Sequence, residues 1–287
     1  MNNKETTLDS AISFLLDYSL STEDLIYFTC FDVILLLLFL VLAKHFIVDN
    51  APSTREKEVS NGRIKRLSWC LTCLNSAVSS LLSFIYIFLR FFYNGKYNTA
   101  QNLSVISLSL EVSPRAEVML LGIDNFSLLM VLNFASVNVI DLIYGSVYYP
   151  DYVDLVTGWV HHTAYIWMMI SCSTGRAFFF TCDPFTKAIG MLLSLEIPTF
   201  IMSFGQLFPS LRSDYGFGLT YFVLRILFHA YIVLCMALCH KGFQSGHYFF
   251  ILSSFCMHVY WFSGWCKKFI LQYIFPSRNR LSDNKIK

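Results

Sequence analysis

The chain has 287 residues, with 21 Lys+Arg against 19 Asp+Glu and a formal net charge of +2. Charged residues make up 14%, where roughly 25% is usual for a soluble protein, and hydrophobic residues make up 55%. So few charges cannot cover so much apolar surface in water, which excludes soluble enzymes and nucleic-acid binders, and the small net charge argues against a polyanion partner.

Residues 1–24 carry Glu5, Asp9, Asp17, Glu23 and Asp24 with Lys4 alone to oppose them, unlike the basic start of a signal peptide. Apolar runs long enough to cross a bilayer follow at about 25–48, 68–93, 118–147, 154–173, 186–208, 217–239 and 247–271. Runs of this length suit helices and not barrel strands, because each peptide group in lipid must be satisfied within its own segment. The expected fold is all-α: a polytopic membrane helical bundle of about seven transmembrane helices. A count of six or eight stays open, since 177–181 could be a re-entrant piece and 101–112 could lie on the surface. No internal repeat is visible.

Basic residues in the connections set the orientation. The loop 44–66 carries Lys44, Arg55, Lys57, Arg63, Lys65 and Arg66, and the region after the last span carries Lys267, Lys268, Arg278, Arg280, Lys285 and Lys287. Seven spans put both on one side, against Lys4, Arg90, Lys96, Arg115, Arg176, Lys187 and Lys241 on the other. The bias predicts a lumenal N-terminus and a cytosolic C-terminus. The sequon at Asn102, Leu103 and Ser104 then falls in a lumenal loop and is a glycosylation candidate. A second sequon at Asn125 lies within a span and is expected to be inaccessible.

Polar groups inside the spans are costly, so each is a functional candidate or an interhelical tie. In the third span Asn133, Asn138 and Asp141 are read as one polar stripe. In the fourth, Asp154, Thr157 and His161 have spacings of three and four and share a face, with His162 about 100° away. Adjacent histidines on a helix cannot readily grip one metal, but one imidazole can act as base or nucleophile while an Asp orients its other nitrogen. Glu196 sits mid-way in the fifth span and Arg225 mid-way in the sixth, and the two are expected to pair. Pro198 should kink its helix and free a carbonyl. His229 extends the face of Arg225. His258, Trp261 and Trp265 form a stripe that either lines a lipid cavity or packs as aromatics. Asp32 and Asp124 are nearer span ends and are expected to reach water.

No di-iron histidine set, no Gly-x-Ser-x-Gly and no phosphate-cradling glycine loop is present, and no metal or cofactor is expected. Nor is there an Asn-Pro-x-x-Tyr or Asp/Glu-Arg-Tyr box of a seven-helix receptor. Eight of the nine cysteines lie in apolar segments, as packing residues would; Cys70 and Cys73 form a C-x-x-C without a second pair at zinc spacing.

The features at Asp141, Asp154-x6-His161-His162, Leu195-Glu196 with its nearby proline, Phe222-Val-Leu-Arg225 and His258-Val-Tyr-Trp261-Phe262 resemble, in this order, the TLC-domain family. That family contains translocating-chain-associated membrane proteins, longevity-assurance ceramide synthases and ceroid-lipofuscinosis-type proteins. The resemblance covers about 67–272. It implies six helices around a lipid-accessible cavity, preceded by one more. It divides the chain into 1–66 (lumenal segment, first helix, basic cytosolic loop), 67–272 (TLC-like membrane domain) and 273–287 (basic cytosolic tail). In ceramide synthases the paired histidines transfer a fatty acyl group from acyl-CoA to a sphingoid amine. By resemblance that role falls on His161 and His162, with Asp154 beside them. The synthase half-motif with a His-Asp pair and a further Asp is missing from 186–196. The sequence is therefore closer to the broader TLC-domain proteins tied to membrane lipid composition.

The function expected from the resemblance is lipid binding or sensing in membrane lipid homeostasis, in the endoplasmic reticulum or another secretory-pathway membrane. The alternative is a ceramide-synthase-like acyltransferase with acyl-CoA as substrate. Membrane lipids are the expected partners, with no nucleic acid. Asn138, Asp141, Thr157, Glu196, Arg225, His229, His258 and Trp261 are the expected polar core of the cavity.

Overall fold

The computed structural model describes residues 7–16, 20–46, 56–90, 123–174, 176–177, 180–181, 186–238 and 246–269; the Asn102 sequon, the stretch 101–112 and the tail 273–287 lie outside them. Helix α1 spans Thr7–Leu16 and buries Ile12. Helix α2, Thr22–Lys44, opens on a reciprocal cap: Asp24 N donates to Ser21 Oγ at 3.2 Å and Ser21 N to Asp24 Oδ2 at 2.9 Å. Helix α3 spans Glu56–Phe88. It therefore takes up part of the basic connection expected at 44–66, because Glu, Lys and Arg are good helix formers and carry the helix past the apolar run.

Helix α4, Asn125–Tyr148, starts at a second capping box, where Ser127 N donates to Asp124 Oδ1 at 2.8 Å. A 3₁₀ turn at Pro150–Tyr152 and a π-helical segment at Leu155–Val160 lead into α5, His161–Thr174. The expected re-entrant piece is instead a two-residue antiparallel pairing of Arg176–Ala177 with Phe180–Thr181. The fifth predicted span is broken into α6 (Thr186–Leu192), a 3₁₀ turn (Leu193–Glu196) and α7 (Ile197–Leu207). The sixth is α8 (Asp214–Thr220), a π-helical segment (Tyr221–Phe228) and α9 (His229–Leu238). Helix α10 spans Gly246–Phe269.

Helix occupies nearly all of the described part of every predicted span, with 123–124, 154 and 208 outside it. Among the described residues, five helical stretches are long and apolar enough to cross a membrane: Thr22–Lys44, Gly62–Phe88, Asn125–Tyr148, Thr186–Leu207 and Asp214–Leu238. The chain is thus an all-α integral membrane protein by its helices. Ile34, Leu38 and Val41 stand out from α2 more than half exposed, as lipid-facing side chains do.

Helix α4 is central. It packs against α2, α3, α5 and α6, and 61% of its apolar window is buried, against 11% for α2. One core lies where α4, α5, α6 and α9 meet, around Met130, Met169, Ile189 and Met236; a smaller one joins α2, α3 and α4 through Leu40, Leu71 and Ile140. Two glycines permit close approach. A side chain at Gly190 would press on the Tyr86 ring at 3.2 Å, and one at Gly218 would overlap Trp265 at 2.1 Å.

Polar ties fix the periphery. Asn125 Nδ2 donates to Phe14 O at 2.6 Å, and Leu20 N donates to Asn125 Oδ1 at 3.2 Å, so one buried amide clasps the chain on both sides of 17–19. Asn133 Nδ2 donates to Asp32 Oδ1 at 2.8 Å and joins α2 to α4. The expectation that Asp32 and Asp124 reach water is overturned: Asp32 is buried by this contact, and Asp124 is 0% exposed beside Arg90. The reason is that both carboxylates find donors on a neighbouring helix, which outweigh the pull of the interface.

Candidate functional site

The expected stripe on α4 separates into three roles. Asn133 goes to Asp32. Asn138 is buried and donates to Phe134 O on its own helix at 2.7 Å, so it closes a turn instead of facing the site. Only Asp141 faces the histidines. Its Oδ1 accepts from Tyr149 Oη at 2.6 Å, and its Oδ2 lies 3.5 Å from His162 Nδ1.

The chain reaches the histidines through the π-helical segment that contains Thr157. Asp154 O accepts from both Gly158 N at 3.0 Å and Trp159 N at 3.1 Å, which marks the wide turn. A wide turn breaks the three-and-four spacing from which the shared face of Asp154, Thr157 and His161 was read. Asp154 is exposed at the entrance to the segment, while both histidines are partly buried. The carboxylate within reach of His162 is Asp141, which is twenty-one residues earlier in the chain. His161 turns the other way. Its ring packs 4.6 Å from Tyr165 and 6.0 Å from Trp261, and its buried Nδ1 has no hydrogen-bond partner.

The second half of the site is built on two departures from regular helix. Pro198 stands in the first turn of α7, directly after the 3₁₀ turn that ends at Glu196. Proline has no N–H, so the carbonyl of Leu195 lacks the partner that a 3₁₀ turn would supply. Arg225 takes that place: its Nε donates to Leu195 O at 2.8 Å, its Nη2 donates to Thr199 Oγ1 at 2.5 Å, and the same Nη2 lies 3.5 Å from Glu196 Oε1. Arg225 comes from the middle of the Tyr221–Phe228 π-helical segment and lies over the Tyr221 ring at 5.2 Å. The expected Glu–Arg pair is therefore present, but the guanidinium is held mainly by a backbone carbonyl and a hydroxyl.

His229 and His258 meet across α9 and α10, with Nδ1 atoms 3.1 Å apart, and both are buried. One ring must donate and the other accept, so the pair holds two different tautomers. Trp261 stands 6.1 Å from His258. Trp265 leaves this group and stacks on Phe262 over Gly218. A cavity lies beside the pair, lined by Phe134, Tyr165, Met169, Glu196, His229 and Ser254 among others. It offers about 30 Å³ to the centre of a water-sized sphere, enough for ordered water and far too little for an acyl chain. Neither His161 nor His162 lines it.

The elements thus bring Asp141, His161, His162, Glu196, Arg225, His229, His258 and Trp261 into one polar core among apolar helices. Asp141, His162, Glu196 and Arg225 keep 12–19% of their side-chain surface, so none of the four is sealed off completely. Sequence reasoning missed Tyr149, Tyr165 and Thr199. Thr199 adjoins the proline that had been singled out, and Tyr149 follows Asp141 by eight residues; both signals were available. Among the described residues no group of three or more His, Cys, Asp or Glu gathers as a metal centre would require.

No family model, no curated protein and no solved structure matches this chain.

Proposed function

We propose that this chain is a multi-pass membrane protein of the TLC-domain type that binds or senses lipids and so acts in membrane lipid homeostasis. The observation that carries this reading is the convergence of five resemblance residues and His229, although Asp154 stays exposed outside the cluster. Asp141, His162, Glu196, Arg225, His229 and His258 are spread over more than a hundred positions, yet they meet in one polar core within lipid-facing helices. Ionisable groups at such depth are costly unless they pair with one another or serve a ligand. The partly exposed Glu196 and Arg225 are where a polar headgroup would engage the core, with the histidines in a structural role. The reading includes seven spans, with α5 and α10 added to the five apolar helices, a lumenal N-terminus, a cytosolic C-terminus and residence in the endoplasmic reticulum or another secretory-pathway membrane.

A second reading, the ceramide-synthase-like acyltransferase, is favoured by one contact. Asp141 Oδ2 lies 3.5 Å from His162 Nδ1 without a hydrogen bond; a small approach would orient that imidazole and leave its Nε2 as a base toward a lipid amine. Against it, the cavity beside His229 is too small for an acyl chain and is lined by neither His161 nor His162.

Lipid profiling separates the two. Cells making the wild-type protein are compared with cells making His161→Ala/His162→Ala at matched abundance. The first reading expects both forms to shift bulk lipid composition alike. A rise in ceramides or other N-acyl lipids that disappears in the double variant selects the acyltransferase. No shift from either form discards both.

A further inference from the structure

A second charged cluster lies away from the histidines, at the end of the bundle where α3 finishes and α4 and α6 begin. Asp124 Oδ2 accepts from Tyr86 Oη at 2.7 Å and from Arg90 Nη2 at 2.5 Å, and Arg90 Nε donates to Tyr86 Oη at 3.1 Å. Asp124 Oδ1 is occupied by Ser127 N at 2.8 Å. Both carboxylate oxygens are therefore committed, and the group is fully buried. Ser127 Oγ and Thr186 Oγ1 lie 2.8 Å apart, which seats the start of α6 against the start of α4. That contact delivers Lys187, half-buried, into electrostatic range of both Arg90 and Asp124.

Among the described residues, two cations face one carboxylate, and that carboxylate already accepts three hydrogen bonds. Lys187 pairs with no acidic group among the described residues, and the Arg90 guanidinium spends only two of its five N–H groups on Tyr86 and Asp124. The Arg90 side chain is 9% exposed, so its remaining donors are poorly hydrated. An unbalanced cation at the edge of hydrocarbon is unfavourable, and a tetrahedral oxyanion matches an Arg fork with a neighbouring ammonium.

We propose that Arg90 and Lys187 form an anion site for a phosphate group, carried on a phospholipid headgroup or free in solution. Asp124 and Tyr86 position the guanidinium, and Lys187 supplies the second positive charge.

The test uses full-length protein in a neutral detergent. Thermal unfolding is titrated with inorganic phosphate, with short-chain phosphatidylglycerol, and with short-chain diacylglycerol as the phosphate-free control. Wild type is expected to be stabilised by a phosphate carrier and not by diacylglycerol. Lys187→Gln should raise the half-saturating concentration roughly tenfold, while Lys187→Arg should stay within about twofold of wild type. Stabilisation by phosphatidylglycerol alone assigns the site to a headgroup; an equal response to inorganic phosphate assigns it to the free anion. The proposal is overturned if Lys187→Gln responds as wild type does, if neither carrier stabilises, or if diacylglycerol works as well. Should Lys187→Gln fail to fold, Arg90→Lys keeps the charge beside Asp124 and removes the planar fork. An unchanged phosphate response in that variant also overturns it.

Discussion

Arg225 holds three acceptors at once: the Leu195 carbonyl, the Thr199 hydroxyl and the Glu196 carboxylate. Arg225→Met therefore strands a carbonyl and a charge together, and is expected to cost about 3–5 kcal/mol in detergent unfolding. Adding Glu196→Gln should recover part of that loss, because it removes the stranded charge but not the stranded carbonyl. Equal losses for the single and double variants would show that the carboxylate takes no part. The histidine pair behaves differently. His229→Phe or His258→Phe leaves the Nδ1 of the other ring unpaired, at a cost of about 1–3 kcal/mol, and the double variant should cost little more than either alone. Additive losses in that cycle would mean that the rings do not bond to each other. The pairing of Glu196 with Arg225 was legible in the sequence because two opposite charges in neighbouring apolar runs have few other choices. The partner of His162 was not. Helical spacing pointed to Asp154, but a π-helical turn intervenes at Leu155–Val160 and changes which side chains align.

At the level of elements, three irregular turns of two kinds set the site. The π-helical segments before His161 and around Arg225, and the 3₁₀ turn at Leu193–Glu196, all end or begin at site residues. Pro198 announced one of these; nothing in the composition of Leu155–Val160 or Tyr221–Phe228 announces the other two. Glycine marks a different contact. Because a side chain on Gly218 would overlap Trp265, Gly218→Leu should push α10 off α8 and cost about 1–3 kcal/mol in thermal unfolding. Combining it with Trp265→Ala should cost less than the sum of the two single changes. A fully additive result would place the strain elsewhere.

For the molecule as a whole, the all-helical membrane fold was legible because charge is scarce and apolar runs are long. The number of crossings was less so. Helices α5 and α10 fill the expected positions, yet they carry His161, His162, Thr163, Ser253, Ser254 and His258, and such polar residues dilute a hydropathy signal. Those same residues supply part of the polar core, so function and a clear crossing signal compete for the same positions. The seven-span arrangement predicts that Asn102 is glycosylated in cells, read as a mobility shift removed by an endoglycosidase and by Asn102→Gln. If a mammalian-cell product carries no such glycan while a sequon engineered into 47–55 is modified, the arrangement is inverted.

Two amides on α4 reach back to the beginning of the chain: Asn125 to Phe14 and Leu20, and Asn133 to Asp32. A ribosome makes α2 roughly a hundred residues before either amide emerges. For that interval the first helix waits in the bilayer with Asp32 unmatched and α1 untethered. The start of this protein is thus completed late in its own synthesis, and nascent chains that stop before residue 125 should leave α1 open to protease while longer ones protect it.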